Sequence, residues 1–279
     1  MTVRRHDSLF VRPCDKMTGC RIIAIFNHKG GVGKTTTAVN LAAGIAHAHG
    51  KRVLVVDMDP QANATRALIG KELGPERITM RHVLLQESSP HVSIADVIVN
   101  TQIPGLYVAP ADLSLSETEM KLVPKLSRKF ALKQALESST ASFAYTIIDC
   151  PPSLGLLSLN ALAAAEGVII PCETQYLSLR GLHYVRDVIG LVQEKLNPRL
   201  QILGVLATKF YVLSSANNEA LRALRALPGV HVFESVITRD VKAEEAPSHG
   251  AALVLYAPEA RATQQYLRFT DEVIRICQS

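Results

Sequence analysis

The feature that most constrains the fold is the glycine-rich segment FNHKGGVGKTTT, which spans residues 26–37. The β-branched run RIIAIFN (21–27) precedes it, and KTTTAVNLAAGIAHAH (34–49) follows with a helical pattern that ends at Gly50, a residue type that suits a helix end. A glycine-rich turn between a strand and a helix points backbone N–H groups inward, and the helix dipole adds positive potential there. The order of these three parts predicts a phosphate-binding loop in an α/β protein.

Apolar runs alternate with helical patterns along the rest of the chain. Continuous apolar strands between helices favour a parallel sheet that is covered on both faces. We therefore predict one α/β domain over residues 21–279, with a mostly parallel twisted sheet and helices on both faces, and a flexible N-terminal arm over residues 1–20. The further strands are predicted at 52–57, 145–152, 167–172, 200–208 and 231–237, and the further helices at 113–137, 156–165, 178–195, 216–227 and 259–277.

Composition excludes several classes of protein. No run of about 18 apolar residues is present, so we expect no membrane span, and the first 20 residues lack the apolar stretch of a signal peptide. The five cysteines are scattered and odd in number, which favours reduced thiols in the cytoplasm over a disulfide framework or a zinc site. The net charge is only +5, so any nucleic-acid surface must be a local patch.

The glycine loop assigns expected roles to its own residues. Glycines let the backbone N–H groups surround an anion without side chains in the way. Lys34 is expected to reach the β and γ phosphates of a nucleotide, and the Thr35 hydroxyl is expected to ligate Mg²⁺. Thr36 adds a donor on the side of the α phosphate. The residues expected to bind nucleotide in this segment are Lys29, Gly30, Gly31, Val32, Gly33, Lys34, Thr35 and Thr36.

Carboxylates follow two of the predicted strands. Asp57 and Asp59 lie in VDMDPQANAT, and one of them is expected to orient an attacking water or hold a water on Mg²⁺. Asp149 closes YTIID and suits a carboxylate that secures the metal through water. Because ligands of such sheets bind beyond the carboxyl ends of the strands, these residues should converge on the glycine loop. The expected metal site comprises Thr35, Asp59 and Asp149.

The glycine loop departs from the generic pattern G-x-x-x-x-G-K-[ST] at two positions. His28 replaces the first glycine, and Lys29 adds a lysine five positions before Lys34. A second cation beside the same phosphate would meet like-charge repulsion, so Lys29 either points into solvent or meets a different phosphate. The second phosphate most easily available belongs to a second copy of the protein. Such a contact would resemble an arginine finger supplied in trans.

Four segments together carry a family resemblance: KGGVGKTTTAVNLA, VLVVDMDPQANAT, YTIIDCPPSLGLLSLNAL and EEAPSHG. They resemble the deviant Walker A ATPases of the ParA/Soj partition family, with similarity over about residues 21–276. The resemblance implies ATP and Mg²⁺ as cofactors, with Lys29 on the nucleotide of the partner subunit, Asp59 in support of hydrolysis and Asp149 as the Walker B carboxylate. Lys29, Lys34 and Asp59 are thus the expected catalytic residues.

The resemblance also implies partners and a location. It implies an ATP-dependent homodimer that binds non-specific double-stranded DNA, lies on the nucleoid in the cytoplasm, and positions cargo. A ParB-like or small basic adaptor protein is expected to stimulate an ATPase activity that is weak alone. The cargo stays open between a chromosome, a plasmid and a protein organelle. Thr208 and Arg239 join the expected ATP-binding residues, and the candidates for DNA contact are Lys209, Arg222, Arg225, Lys242 and Arg268.

The chain departs from the family pattern near this DNA surface. Thr238 stands where the family often has proline, Ala251 stands where it usually has lysine, and the loop YVLSSANN (211–218) lacks an arginine that many relatives use. Two other functions are weighed against partition. A MinD-like ATPase would bind membrane through a C-terminal helix, but the apolar face of YLRFTDEVIRICQS fits packing on the sheet better. An iron–sulfur ATPase needs loop thiolates, whereas Cys150 and Cys172 are typical of small core residues.

Overall fold

The computed structural model describes residues 21–70, 74, 76–87, 91–137, 142–174 and 176–278, without the side chains of 176–180. The predicted arm over residues 1–20 lies outside the described residues. The described chain forms one eight-stranded sheet in the order β3-β4-β2-β5-β1-β6-β7-β8. The strands are β1 (Ile22–Ile25), β2 (Val53–Asp57), β3 (Val99–Asn100), β4 (Leu106–Ala109), β5 (Tyr145–Asp149), β6 (Gly167–Glu173), β7 (Gln201–Phe210) and β8 (Val232–Thr238).

The sheet is parallel except at β3, which pairs antiparallel with β4. The helices are α1 (Lys34–His49), α2 (Asn63–Ile69), α3 (Met80–Leu85), α4 (Ile94–Val97), α5 (Leu115–Leu122), α6 (Ala131–Glu137), α7 (Leu156–Ala164), α8 (Tyr176–Lys195), α9 (Ser215–Arg225), α10 (Val241–Glu245), α11 (Leu253–Tyr256) and α12 (Arg261–Gln278). A 3₁₀ helix, Ala246–His249, follows α10. Apolar side chains pack into separate clusters on the two faces, with Ile23 and Ile25 on one face and Ala24 and Phe26 on the other. The predicted fold class is confirmed.

One long predicted helix is wrong. Residues 113–137 form two short helices, α5 and α6, instead of one. Pro124 lies just beyond α5, and proline lacks the N–H that a continuing helix needs and also disfavours helical geometry in the residue before it. The apolar spacing of this region runs across the break, so periodicity alone could not show where the helix stops.

Helix α12 lies along the last strand and supports α1. Tyr266, Phe269 and Val273 are fully buried in the core between them, so the predicted packing of this tail on the sheet is confirmed. Glu272 of the same helix accepts hydrogen bonds from the backbone N–H groups of Glu234 (2.7 Å) and Ser235 (3.1 Å) on the edge strand β8. Among the described residues, no helix combines the length and the apolar character that crossing a membrane requires.

Candidate functional site

The sheet brings the predicted site residues together at one end. Strand β1 occupies the centre and pairs in parallel with β5 and β6. Ile25 at the end of β1 is level with Asp149 of β5, and Asp149 is level with Asp57 of β2. The glycine loop that follows β1 therefore lies beside the carboxylates that end β2 and β5. This convergence agrees with the expectation from strand ends.

The glycine loop is shaped by two left-handed glycines and is supported from β7. Gly31 has φ 76° and Gly33 has φ 86°, values that side-chain-bearing residues rarely adopt. Helix α1 begins directly after Gly33, so its free N–H groups face the loop. The Thr208 hydroxyl of β7 donates to the carbonyl of Val32 at 2.9 Å. Loop and helix end together have the geometry that favours anion binding, as the sequence predicts.

Lys34 is buried at the start of α1. Lys34 is 7% exposed, and its Nζ donates a hydrogen bond to the carbonyl of Lys29 at 2.9 Å. Burial lowers the pKa of Lys34, while the nearby charges of Asp149 and Asp59 raise it. A desolvated ammonium group beside a helix N-terminus gains most from an anionic ligand, because the surrounding protein screens the attraction weakly.

Asp149 is fully buried, and neither of its carboxylate oxygens has a hydrogen-bond partner among the described residues. Burial, followed by the charge of Asp57, raises its pKa well above 3.8. The Thr35 hydroxyl is close enough to lower that pKa, although it does not make a hydrogen bond to the carboxylate. A buried carboxylate with both oxygens open, next to a hydroxyl, is an oxygen donor set that suits Mg²⁺.

The oxygen donors of Thr35 and Asp149 fit a magnesium ion that keeps several waters and shares the oxygens of bound phosphate. No cluster of three or more His, Cys, Asp or Glu side chains that could hold a metal occurs in the part of the chain that the structure describes. The site therefore differs from an all-protein metal cage. Cys150 and Cys172 are both buried in the apolar cluster on one face of the sheet, and burial raises the pKa of each thiol.

Asp57 and Asp59 have different surroundings although they are two residues apart. Asp57 is fully buried and accepts hydrogen bonds from the Thr65 N–H, the Thr65 hydroxyl and the Asp59 N–H. Burial raises the pKa of Asp57 to about 6, and these hydrogen bonds oppose the shift. Asp59 is 6% exposed and accepts only the N–H of Gln61 among the described hydrogen bonds, at 2.9 Å. Asp59 therefore keeps an oxygen that a water or a ligand can use.

Lys29 has a partner that sequence reasoning did not find. Its Nζ forms an ion pair with Glu173 Oε2 at 3.3 Å, and its side chain is 44% exposed. The side chain reaches solvent, which is one of the two alternatives predicted for Lys29, and the contact with a second phosphate stays a prediction. The available signal was that Glu173 ends the apolar strand GVIIPCE, just as Asp149 ends YTIID. Beside Lys29, the ring of His28 packs edge-on against Tyr184, with ring centroids 5.0 Å apart.

A pocket adjoins the glycine loop between β7, β8 and α10. Thr208 and Arg239 both line it, together with Gly33 and Thr36 of the loop. Arg239 is half exposed, pairs with Glu244 at 3.0 Å and stacks near Tyr211. Thr208 and Arg239, two of the residues expected to bind ATP, thus lie beside the glycine loop.

The five candidates for DNA contact fall into separate neighbourhoods. Lys209 is half-buried in the pocket that Arg239 lines. Arg225 donates to the carbonyl of Glu234 at 3.2 Å, and Arg268 lines a cavity that also includes Glu234. Arg222 is exposed on α9, and Lys242 is exposed on α10 with its Nζ 2.9 Å from Glu245. The structure therefore groups Arg225 with Arg268, and Lys209 with Arg239.

Comparison with known proteins agrees with this geometry. A family model described as an AAA domain (AAA_31) matches residues 20–202. The sporulation initiation inhibitor protein Soj of Bacillus subtilis is 42% identical over 253 residues, which cover 91% of this chain and 98% of Soj. The chromosome partitioning protein ParA of Caulobacter vibrioides is 41% identical over 257 residues, which cover 91% and 94% of the two chains.

A solved structure has the same architecture and holds a nucleotide. The crystal structure of cobyrinic acid a,c-diamide synthase from Mycobacterium smegmatis, with bound ADP and magnesium, superposes with a TM-score of 0.79. It is 32% identical, and the match covers 93% of this chain and 95% of that one. Sequence similarity over nearly the full length and a shared fold lead to one assignment. The chain belongs to the ParA/Soj family.

Proposed function

We propose that this protein is a Mg²⁺-dependent ATPase that pairs with a second copy of itself when ATP is bound. In that state it binds non-specific double-stranded DNA of the nucleoid and positions or segregates a cargo. A ParB-like or small basic adaptor protein stimulates its hydrolysis. The similarity to Soj and ParA supports this proposal, since both are closer in sequence than the M. smegmatis synthase.

The residues of the site have different proposed roles in ATP binding and hydrolysis. The loop N–H groups and the buried Lys34 bind the phosphates, while Thr35 and Asp149 hold magnesium. When bound, magnesium neutralises charge on the phosphate oxygens. Asp59 orients the attacking water, for which its open carboxylate oxygen is suited. The adjoining pocket with Thr208 and Arg239 takes the sugar and base.

One observation carries the proposal: the two lysines of the loop occupy different environments. Lys34 is buried, and its ammonium lies inside the loop on the Lys29 carbonyl. The Lys29 ammonium lies outside, on Glu173, and is nearly half exposed. The site therefore already contains its own cation, and Lys29 is free to leave an exposed ion pair that is worth only about 1 kcal/mol or less. A triphosphate on a second copy gives it a stronger partner.

The test compares wild type with Lys29→Ala and with a matched control, Lys121→Ala. Lys121 is also 44% exposed and forms an ion pair, with Glu87 at 3.5 Å, but it lies on α5. Light scattering measures the molecular mass with ATP, with ADP and without nucleotide, each with Mg²⁺. Fluorescence anisotropy measures binding to a random-sequence DNA duplex under the same three conditions and at several salt concentrations.

We expect wild type and Lys121→Ala to pair and to bind DNA with ATP only, with an affinity that falls steeply with salt because phosphate contacts dominate. Lys29→Ala should bind ATP yet stay a monomer and lose the DNA affinity. Equal DNA binding by wild type in all three nucleotide states would contradict the proposed switch. Normal pairing by Lys29→Ala would contradict the role of that lysine.

The membrane alternative makes a different prediction in the same samples. A MinD-like protein would bind anionic liposomes with ATP through an exposed amphipathic helix. In this chain the apolar face of α12 is already packed on the sheet through Tyr266, Phe269 and Val273. We therefore expect no liposome binding with ATP in a sedimentation assay, and clear binding would favour the membrane function over DNA.

A further inference from the structure

Two neighbouring carboxylates at the C-terminal ends of β2 and β5 differ in their hydrogen bonds. Asp57 and Asp149 end adjacent strands at the same level, and both are fully buried. Asp149 leaves both oxygens open among the described residues. Asp57 accepts three hydrogen bonds from its own chain. A carboxylate whose oxygens are already occupied by the chain is suited to holding structure in place and not to binding a ligand.

The three hydrogen bonds hold both ends of one short segment. Asp57 Oδ1 accepts the N–H of Asp59 at 3.1 Å. Asp57 Oδ2 accepts the N–H and the hydroxyl of Thr65, at 2.8 and 2.7 Å. The segment between Asp59 and Thr65 is thereby closed into a loop at its base. This loop carries Asp59, the carboxylate that we propose to orient the attacking water.

The conformation of this loop needs such support. Ala62 adopts φ 52°, a left-handed conformation that is strained for a residue with a side chain. Its N–H donates to the Asp59 carbonyl at 2.8 Å, and the Gln61 N–H donates to Asp59 Oδ1 at 2.9 Å. Strained geometry persists only where its surroundings hold it. The hydrogen bonds to Asp57 hold the loop from the side of the sheet.

Thr65 joins the loop to a third segment. Its hydroxyl donates to Asp57 and also accepts the backbone N–H of Ala111, which follows β4, at 3.0 Å. Thr65 is 2% exposed, so water does not replace these bonds. Valine has the same shape but can neither donate nor accept, whereas serine keeps both functions.

We infer that Asp57 and Thr65 are positioning residues for ATP hydrolysis, which set the place of Asp59 relative to the glycine loop. This inference rests on the proposed ATPase function. The oxygens of Asp57 and the hydroxyl of Thr65 are occupied by hydrogen bonds within the chain, so loss of either side chain should slow the hydrolytic step and leave nucleotide binding nearly unchanged. A misplacement of about 1 Å in a reacting group can cost on the order of 10²-fold in rate.

The test uses Thr65→Val, with Thr65→Ser as the conservative variant. Thr270→Val is the matched control, because Thr270 is also fully buried and its hydroxyl donates to the Tyr266 carbonyl at 2.9 Å, but it lies on α12. Single-turnover hydrolysis of Mg²⁺–ATP gives the rate of the chemical step, and a fluorescent ATP analogue gives the dissociation constant. Thermal unfolding shows that each variant is folded at the assay temperature, and Asp57→Asn serves if Thr65→Val is not.

We expect Thr65→Val to reduce the hydrolysis rate at least about tenfold with less than about a twofold change in the dissociation constant. Thr65→Ser should restore the rate to within about twofold of wild type, and Thr270→Val should match wild type. A wild-type rate in folded Thr65→Val, or an equal loss of rate and binding, would overturn the inference alone. If wild type itself hydrolyses no ATP, the proposed function fails instead.

Discussion

At the scale of single residues, neighbouring side chains of the same type have different roles because their partners differ. The two lysines of the glycine loop differ in burial and in partner, and so do the carboxylates Asp57 and Asp149. A motif specifies the type of residue at each position. The hydrogen bonds and burial that the fold provides determine what each residue can do.

The buried carboxylates of Asp57 and Asp149 lead us to expect that stability depends on pH. Burial raises the pKa of Asp57 to about 6 and that of Asp149 well above its usual 3.8. Above pH 3.8 the folded chain therefore holds protons that the unfolded chain has released, so the free energy of unfolding falls as pH rises through this range. We expect Asp57 and Asp149 to make the nucleotide-free protein less stable at about pH 7 than at about pH 5, while His28, whose pKa burial lowers, acts in the opposite direction.

Asp149→Asn removes one of the two buried carboxylates. The free energy of unfolding should then decrease by at least about 1 kcal/mol less between about pH 5 and pH 7, which corresponds to less than one unit of pKa. Urea unfolding at several pH values, with a chelator present, measures it. Asp187→Asn, at an exposed position on α8, is the control and should keep the wild-type slope. The same slope in Asp149→Asn would show that this carboxylate is not held protonated.

Much of the site could be predicted from the sequence, for a physical reason. The glycine loop, Asp59 and Asp149 follow apolar strands, and the carboxyl ends of parallel strands meet at one edge. The ion pair between Lys29 and Glu173 joins residues 144 positions apart. The end of an apolar strand places Glu173 near the site, but the pairing itself depends on how β6 lies beside β1. The hydrogen bonds of Thr65 could not be predicted either, because they depend on where α2 lies relative to Asp57 and Ala111.

At the scale of elements, helix α2 is fixed by a close backbone contact at its end. Gly70 ends α2, and Gly250 ends the 3₁₀ helix that follows α10. The two glycines approach so closely that a Cβ on Gly250 would lie 2.0 Å from the Gly70 Cα. The EEAPSHG motif therefore ends in glycine for a steric reason, and it connects α2 with the short helices before α12.

Gly250→Ala should destabilise the fold through this contact. Gly229→Ala is the control, because Gly229 has a similar φ of 68° and no atom within 4 Å of an added Cβ. Gly229→Ala should lower the free energy of unfolding by about 1 kcal/mol, because of the left-handed conformation alone. Gly250→Ala should cost at least about 2 kcal/mol more, from overpacking. Urea unfolding measures both, and equal losses would contradict the steric role of the contact.

Long elements were predicted well, and so was the short strand β1, which directly precedes the glycine loop. The strands β1, β2 and β5–β8 and the helices α1, α7, α8, α9 and α12 follow clear patterns. Strand β3 has two residues and is too short to define a period. Strand β4 is as long as β1, with four residues, but it has no neighbouring motif that marks it. Tertiary pairing with β2 decides the place of β4.

At the scale of the whole molecule, the proposed pairing divides each hydrolytic site between two chains. Lys29 would act on the ATP of the partner, while Asp59 would act on the ATP of its own chain. Lys29→Ala alone should be inactive because no chain supplies the second cation. Asp59→Ala alone should pair with ATP and remain trapped, because the water is not oriented.

Mixing these two inactive variants should restore activity. In a mixed dimer the Lys29→Ala chain keeps its own Asp59 and receives Lys29 from the Asp59→Ala chain, so one of the two sites is complete. The variants are mixed before ATP is added, and if half of all chains enter mixed dimers, hydrolysis should recover to about a quarter of the wild-type rate. Phosphate release across a series of mixing ratios measures it. If no ratio restores activity, Lys29 does not act across the interface.

The contacts of Glu272 have a consequence for the edge of the sheet at β8. An edge strand with unpaired N–H and C=O groups can pair with an edge strand of another molecule, and repeated pairing produces fibres. Here the carboxylate of Glu272 occupies two of the amides that such growth would require. Glu272 therefore disfavours the addition of a strand from another molecule at β8.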